Sequence, residues 1–120
     1  MAKVVIADDA MFMRATVKRV LTGAGHEVVG EGENGRVAVS LYSSLQPDLV
    51  ILDITMPELD GIGALGEIMS MNPAARVIMC TALGQQDKVK EALMLGARDY
   101  VVKPFTPDKL LTAVNHALVG

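Results

Sequence analysis

The sequence predicts an α/β domain in which a doubly wound, five-stranded parallel sheet carries five helices. Short aliphatic and β-branched runs alternate about five times with segments of helical period, the pattern of strand–helix units around a parallel sheet. Four of those runs give out at polar residues: at Asp8 and Asp9 after Ala7, at Asp53 after Leu52, at Thr81 after Cys80, and at Lys103 after Val102. Turn and cap signals fall between the runs, where such an alternation needs them.

Taken in order, the first strand is predicted at residues 3–7 and the first helix at 11–22, which Gly23 and Gly25 end. A second strand at 27–31 leads to a helix at 35–44, and Pro47 closes the connection to a third strand at 48–53. The third helix, 62–71, stops at Asn72 and Pro73, and the fourth strand runs over 76–81. Residues 86–95 form the fourth helix, ended by Gly96, and residues 99–102 the fifth strand. The last helix, 107–118, shows the period best, with Leu110, Val114, Ala117 and Leu118 on one face and Asp108, Lys109, Thr112 and Asn115 mostly on the other. Thr106 before Pro107 reads as an N-cap followed by proline at the first helical position.

A chain of 120 residues fits one domain, 1–120, against a prior of roughly 150 residues per domain. Hydrophobic residues make up 51% and aromatics only 3%, so Val, Leu, Ile, Ala and Met must fill the core. The methionines are read as gap fillers in it, and Met11, Phe12 and Met13, just after the acid pair, as core packing of the first helix, with a place near the pocket mouth as the alternative. Fourteen acidic against eleven basic residues leave a formal charge of −3, with no basic footprint for nucleic acid. Cys80 is the only cysteine, which excludes an internal disulfide, and its neighbours Ile78 and Met79 predict a buried thiol. No secretory segment and no apolar run near the roughly 18 residues of a membrane span is present, so the expected location is the cytoplasm, with no membrane partner.

In a parallel sheet the carboxyl ends of the strands converge on one crevice, the place where open α/β sheets bind ligands. Asp8, Asp9, Asp53, Thr81 and Lys103 would therefore share one pocket. Each has an ordinary explanation by itself: Asp8 and Asp9 as caps of the first helix, Asp53 as a loop acid, Thr81 as a locally bonded hydroxyl, Lys103 as a solvated charge. Their conjunction says more, because three gathered carboxylates repel one another unless something cationic sits among them. The donors are hard oxygens, and His26 and His116 fall in turn and helix contexts read as surface, so magnesium is the ion that suits the set. With a divalent ion in place, a carboxylate such as Asp53 can act as nucleophile toward a phosphoryl group. Lys103 and Thr81 would then supply an ammonium and a hydroxyl to its oxygens.

A second pattern competes. Gly30-Glu31-Gly32-Glu33-Asn34-Gly35 has the G-x-G-x-x-G spacing after a strand and before a helix, on pattern alone a Rossmann dinucleotide fingerprint, and the rival function is a flavodoxin-like nucleotide or flavin binder. Glu31 and Glu33 put negative charge where a pyrophosphate would lie, and the pattern leaves Asp8, Asp9, Thr81 and Lys103 without a role. A turn and cap before the second helix is the plainer reading.

The ordered set of Asp8-Asp9, Asp53 in Leu52-Asp53-Ile54-Thr55-Met56-Pro57 with Asp60-Gly61 following, Thr81-Ala82, and Tyr100-Val101-Val102-Lys103-Pro104-Phe105 resembles the receiver domain of two-component response regulators. The resemblance covers essentially the whole chain and is closest to stand-alone chemotaxis members, which carry no output domain. It implies a flavodoxin-like strand order 2-1-3-4-5. It implies Asp53 as phosphoacceptor, and Asp9, Asp53 and the Thr55 backbone carbonyl as magnesium ligands, with Asp8 reaching the ion through water. Thr81 and Lys103 would grip the phosphoryl oxygens, the Lys103–Pro104 bond would be cis, and Tyr100 would swing inward when Thr81 moves. The implied partners are a chemotaxis-type histidine kinase, a flagellar motor switch protein and a possible phosphatase; a phosphorelay or sporulation-type receiver is the alternative output. Such a domain assists its own phosphoryl transfer and hydrolysis without being an enzyme in the usual sense. Thr55, Leu83 and the segment to Gln86 depart from the best-known chemotaxis members, so the resemblance fixes neither the phosphate's lifetime nor the partner surface.

Overall fold

The structure, a computed structural model, describes residues 1–119. Strands and helices alternate strictly: β1 (Lys3–Ala7), α1 (Met11–Gly23), β2 (Glu27–Gly32), α2 (Gly35–Leu45), β3 (Leu49–Asp53), α3 (Gly61–Met71), β4 (Val77–Thr81), α4 (Gln86–Leu95), β5 (Asp99–Val102) and α5 (Pro107–Leu118). All five strands are parallel, in the order β2-β1-β3-β4-β5. The predicted elements stand, with ends displaced by a residue at most. Asp48, for instance, falls just before β3 because it serves the turn instead, its carboxylate accepting the Lys3 N–H at 2.8 Å.

The central strands are unbroken apolar runs because both their faces are covered. Every residue of β3 and β4 is buried. Side chains alternate across the sheet with period two, so Val5, Ala7, Val50, Leu52, Val77 and Met79 face one core. There they meet Ala38 and Tyr42 of α2, Leu65 and Ile68 of α3, and Val89 and Ala92 of α4. Val4, Ile6, Leu49, Ile51, Ile78 and Cys80 face the other, against Val17 and Leu21 of α1 and Leu110, Val114 and Ala117 of α5.

Helix ends follow local chemistry. Thr106 caps α5 by accepting the Lys109 N–H at 3.2 Å, with Pro107 at the first position as predicted. Asn34 caps α2 by accepting the Val37 N–H at 2.9 Å. That settles Gly30 to Gly35 as strand end, turn and cap: Gly32 pairs with Ala7, and the Cβ positions of Gly30 and Gly32 face Leu41, Leu45 and Val37. No helix among the described residues is long and apolar enough to cross a membrane.

Three expectations need correction. Met11 and Phe12 are not core residues; they are 75% and 79% exposed, and of the three only Met13 packs against the core formed with the sheet. The methionines divide: Met56 and Met79 are buried, while Met1, Met11, Met71 and Met94 lie on the surface. His26 is half-buried and accepts the Ala2 N–H on Nδ1 at 3.0 Å, so of the two histidines only His116 is a surface residue.

Candidate functional site

Strand register does the first work of assembly. Ala7 pairs with Leu52, so the residues that follow them, Asp8 and Asp53, leave neighbouring strands side by side. Thr81 pairs with Val102, and the Lys103 N–H donates to the Thr81 carbonyl at 2.7 Å, which sends the Lys103 side chain over the same end of the sheet. The peptide bond from Lys103 to Pro104 is cis.

The result is a compact acidic pocket. Carboxylate oxygens of Asp8, Asp9 and Asp53 lie within 4.8 Å of one another. Lys103 reaches in from the far side, its Nζ 2.8 Å from Asp8 Oδ2 and 3.3 Å from Asp53 Oδ1. Asp8 and Asp53 are buried, whereas Asp9 is exposed. Neither Asp8 nor Asp9 caps α1, whose N-cap is Ala10 with no side-chain bond. Asp8 instead turns the chain, accepting the Ala10 N–H on Oδ1 at 2.9 Å and the Arg14 guanidinium on its carbonyl at 2.6 Å.

The backbone is shaped to let Asp53 end its strand and the chain double back. A Cβ on Gly61 would collide with the Asp53 carbonyl, so only glycine permits α3 to start against β3. The Gly61 N–H donates to the Ile54 carbonyl at 2.8 Å, and Asp60 caps α3 by accepting the Gly63 N–H at 2.8 Å. Thr55, two residues beyond Asp53, is exposed on this loop.

Burial and the neighbouring Asp8 charge push the Asp53 carboxyl above its ordinary range, against the pull of Lys103, and Asp9 adds to the rise. Burial opposes the charge on Lys103, but its hydrogen bond to Asp8 and the negative charge of Asp53 and Asp8 prevail and raise its pKa. Cys80, beneath the pocket, is pushed up to about 12 by burial and is an inert thiol, as predicted. Three carboxylates thus share one ammonium. A site that is still short of positive charge and offers only hard oxygen donors fits a divalent cation of the magnesium type.

Thr81 is 1% exposed at the end of β4. Its hydroxyl lies 2.9 Å from Gln85 Oε1 and 3.1 Å from the Ala82 carbonyl. Tyr100 is 41% exposed and, with Thr81, Leu83, Val89 and Met94, lines an open cavity of about 550 Å3 between α4 and β5. The structure therefore brings Asp8, Asp9, Asp53 and Lys103 together directly, and sets Thr81 and Tyr100 on an adjoining cavity. Two residues of this region, Arg14 and Gln85, escape sequence reasoning, because each acts by reaching across a loop to a backbone or side-chain group that no motif names.

The model of the response regulator receiver domain matches residues 4–115. The chain is a receiver domain. It is 52% identical over 113 residues to the chemotaxis protein CheY of Thermotoga maritima, covering 94% of each chain. With the chemotaxis protein CheY of Bacillus subtilis it shares 52% identity over 116 residues, 97% of each. Among solved structures, a chain of the CheX–CheY–BeF3–Mg2+ complex from Borrelia burgdorferi superposes with a TM-score of 0.94 at 38% identity, covering 98% of this receiver and 90% of that chain. The receiver is a two-component response regulator closely related to the CheY chemotaxis regulators, and its fold is theirs.

Proposed function

We propose that this receiver is a phosphorylation switch in chemotaxis, with Asp53 as the residue that takes the phosphoryl group. The single observation that carries this reading is the convergence of Asp8, Asp9 and Asp53 with Lys103 at the strand ends. Asp53 Oδ attacks the phosphorus of a phosphohistidine on a partner kinase; the P–N bond breaks as the P–O bond forms, and the imidazole leaves with the electron pair. Hydrolysis reverses the load: water attacks phosphorus, the acyl phosphate P–O bond breaks, and carboxylate and inorganic phosphate remain.

Asp9, Asp53 and the Thr55 carbonyl would hold a Mg2+ ion, with Asp8 reaching it through water. When bound, the ion supplies the charge neutralisation that phosphoryl transfer requires. Lys103 is positioned by Asp8 and Asp53 to bind one phosphoryl oxygen, and the Thr81 hydroxyl to bind another once it turns toward Asp53. Tyr100 then moves into the space beside α4, and the surface of α4, β5 and α5 repacks. A chemotaxis-type histidine kinase upstream, a flagellar motor switch protein downstream and a phosphatase are the partners this reading assigns, in the cytoplasm, with 1–120 acting as one receiver domain.

Incubation with a small phosphodonor and Mg2+ is expected to add one phosphoryl mass to the chain, and Asp53→Ala to abolish the gain. An unchanged mass in the parent chain rules the reading out. Binding to a motor switch peptide, rather than to a phosphotransfer domain, separates the chemotaxis output from a phosphorelay.

A further inference from the structure

Gln85 occupies a position that the phosphoacceptor reading does not explain. Its side chain spans two loops: Oε1 accepts the Ala82 N–H at 3.0 Å and lies 2.9 Å from Thr81 Oγ1, while Nε2 donates to Thr55 Oγ1 at 3.2 Å. The orientation of the amide follows from its partners. A backbone N–H is only a donor, so the atom facing Ala82 must be the carbonyl oxygen. The Thr81 hydroxyl has one proton, and both groups near it, Gln85 Oε1 and the Ala82 carbonyl, are acceptors. Its proton is therefore committed to this corner whichever acceptor takes it. Thr55 stands two residues beyond Asp53, so a single amide ties the loop after β3 to the loop after β4 across the edge of the acidic pocket.

This tie has a cost at the helix. Gln85 is the N-cap residue of α4, yet makes no side-chain capping bond there, because the amide is engaged with Thr55, Thr81 and Ala82. The first turn of α4 is thus fastened to the sheet through the same side chain that holds the hydroxyl.

We propose that Gln85 is a positioning residue that latches the Thr81 hydroxyl in the unphosphorylated arrangement and must release it before that hydroxyl can bond a phosphoryl oxygen on Asp53. Release would in the same act free Thr55 and the start of α4, which forms one wall of the cavity that holds Tyr100. The latch rests on the phosphoacceptor reading, and the two fail in different ways.

The test measures beryllofluoride binding at saturating Mg2+ by titration calorimetry, in the parent chain, in Gln85→Ala and in the near-isosteric Gln85→Met. Losing the latch removes a bond that the free state alone enjoys, so both variants should bind about fivefold more tightly, the worth of one net hydrogen bond. Mg2+ affinity without beryllofluoride should stay at the parent value. In a Thr81→Val background, where there is no hydroxyl to hold, the Gln85 substitutions should have no effect. Unchanged or weaker beryllofluoride binding in both variants overturns the latch, as does a gain that persists beside Val at position 81 or one matched by tighter Mg2+ binding. A parent chain that binds no beryllofluoride overturns the reading of Asp53 itself.

Discussion

Asp53 is a buried acid that sits beside another buried acid, and among the described residues Lys103 is the cation that bridges the pair. The folded state therefore holds the Asp53 proton to a higher pH than the unfolded chain does, and stability falls as pH rises from the ordinary value of 3.8 through the folded value. Above that window the penalty is fully present. Asp53→Asn should accordingly stabilise the chain at pH 7 without divalent ions, by on the order of 1–2 kcal/mol, the scale on which uncompensated buried charge is relieved. Urea denaturation with and without Mg2+ measures it, with the difference expected to shrink as pH falls through the raised folded value, to be gone below about pH 4, and to shrink when the ion is added; an Asn variant no more stable than the parent at pH 7 would contradict the charge argument. Lys103 runs the other way. Its raised pKa means that its contribution is complete below the ordinary 10.5 and is lost as pH climbs through the folded value. Lys103→Met, which strands two buried carboxylates, should cost about 3 kcal/mol at pH 7, read as a lower urea midpoint. These acids and the lysine are legible in sequence because each interrupts an apolar run at the point where a strand must end. Arg14 and Gln85 are not, since their importance lies in the reach of a long side chain across a loop.

At the level of elements, the site depends on how β3 hands over to α3. Gly61 faces the Asp53 carbonyl and the Ile54 Cα, both backbone groups that have no freedom to yield. Gly61→Ala should therefore destabilise by about 1–3 kcal/mol, the usual price of overpacking, and should also weaken Mg2+ binding, because the displaced carbonyl belongs to Asp53. Thr106→Ala offers the contrast: it removes a hydroxyl that bonds within its own helix, to the Lys109 N–H, and should cost about 1 kcal/mol with Mg2+ affinity untouched. Urea midpoints at constant slope, with a Mg2+ titration beside each, distinguish the two. Element type and order were readable throughout because the strand runs are apolar on both faces and the breaks carry proline, glycine, asparagine and threonine in their expected roles. What the pattern misplaced was exposure at the start of α1. Met11 and Phe12 look like core residues by composition, but they fall on the outward side of the first turn of α1, and no periodicity in so short a segment reports that.

Across the whole molecule, Thr81 stands between the acidic pocket and the α4–β5 cavity: its carbonyl accepts the Lys103 N–H at 2.7 Å, and the residue lines the cavity. A change at Asp53 that draws the Thr81 hydroxyl inward leaves space on the cavity side, and Tyr100 is the large side chain at its edge with room to move. The chain has no tryptophan and two tyrosines. Tyr42 is 6% exposed within the core and donates no signal to an aqueous quencher, whereas Tyr100 is 41% exposed. Quenching of tyrosine fluorescence by iodide thus reports Tyr100 almost alone. Addition of beryllofluoride with Mg2+ should lower the quenching constant by about half as the ring turns into the protein, a population shift driven only by the difference in ligand affinity between the two arrangements. Thr81→Val should bind the mimic yet lose most of this response, because in the proposed switch the hydroxyl is what links the pocket to the cavity. Equal protection of Tyr100 in Thr81→Val would show that the two regions communicate by another route, and α4 would then have to move as a body against β4 for the surface to change.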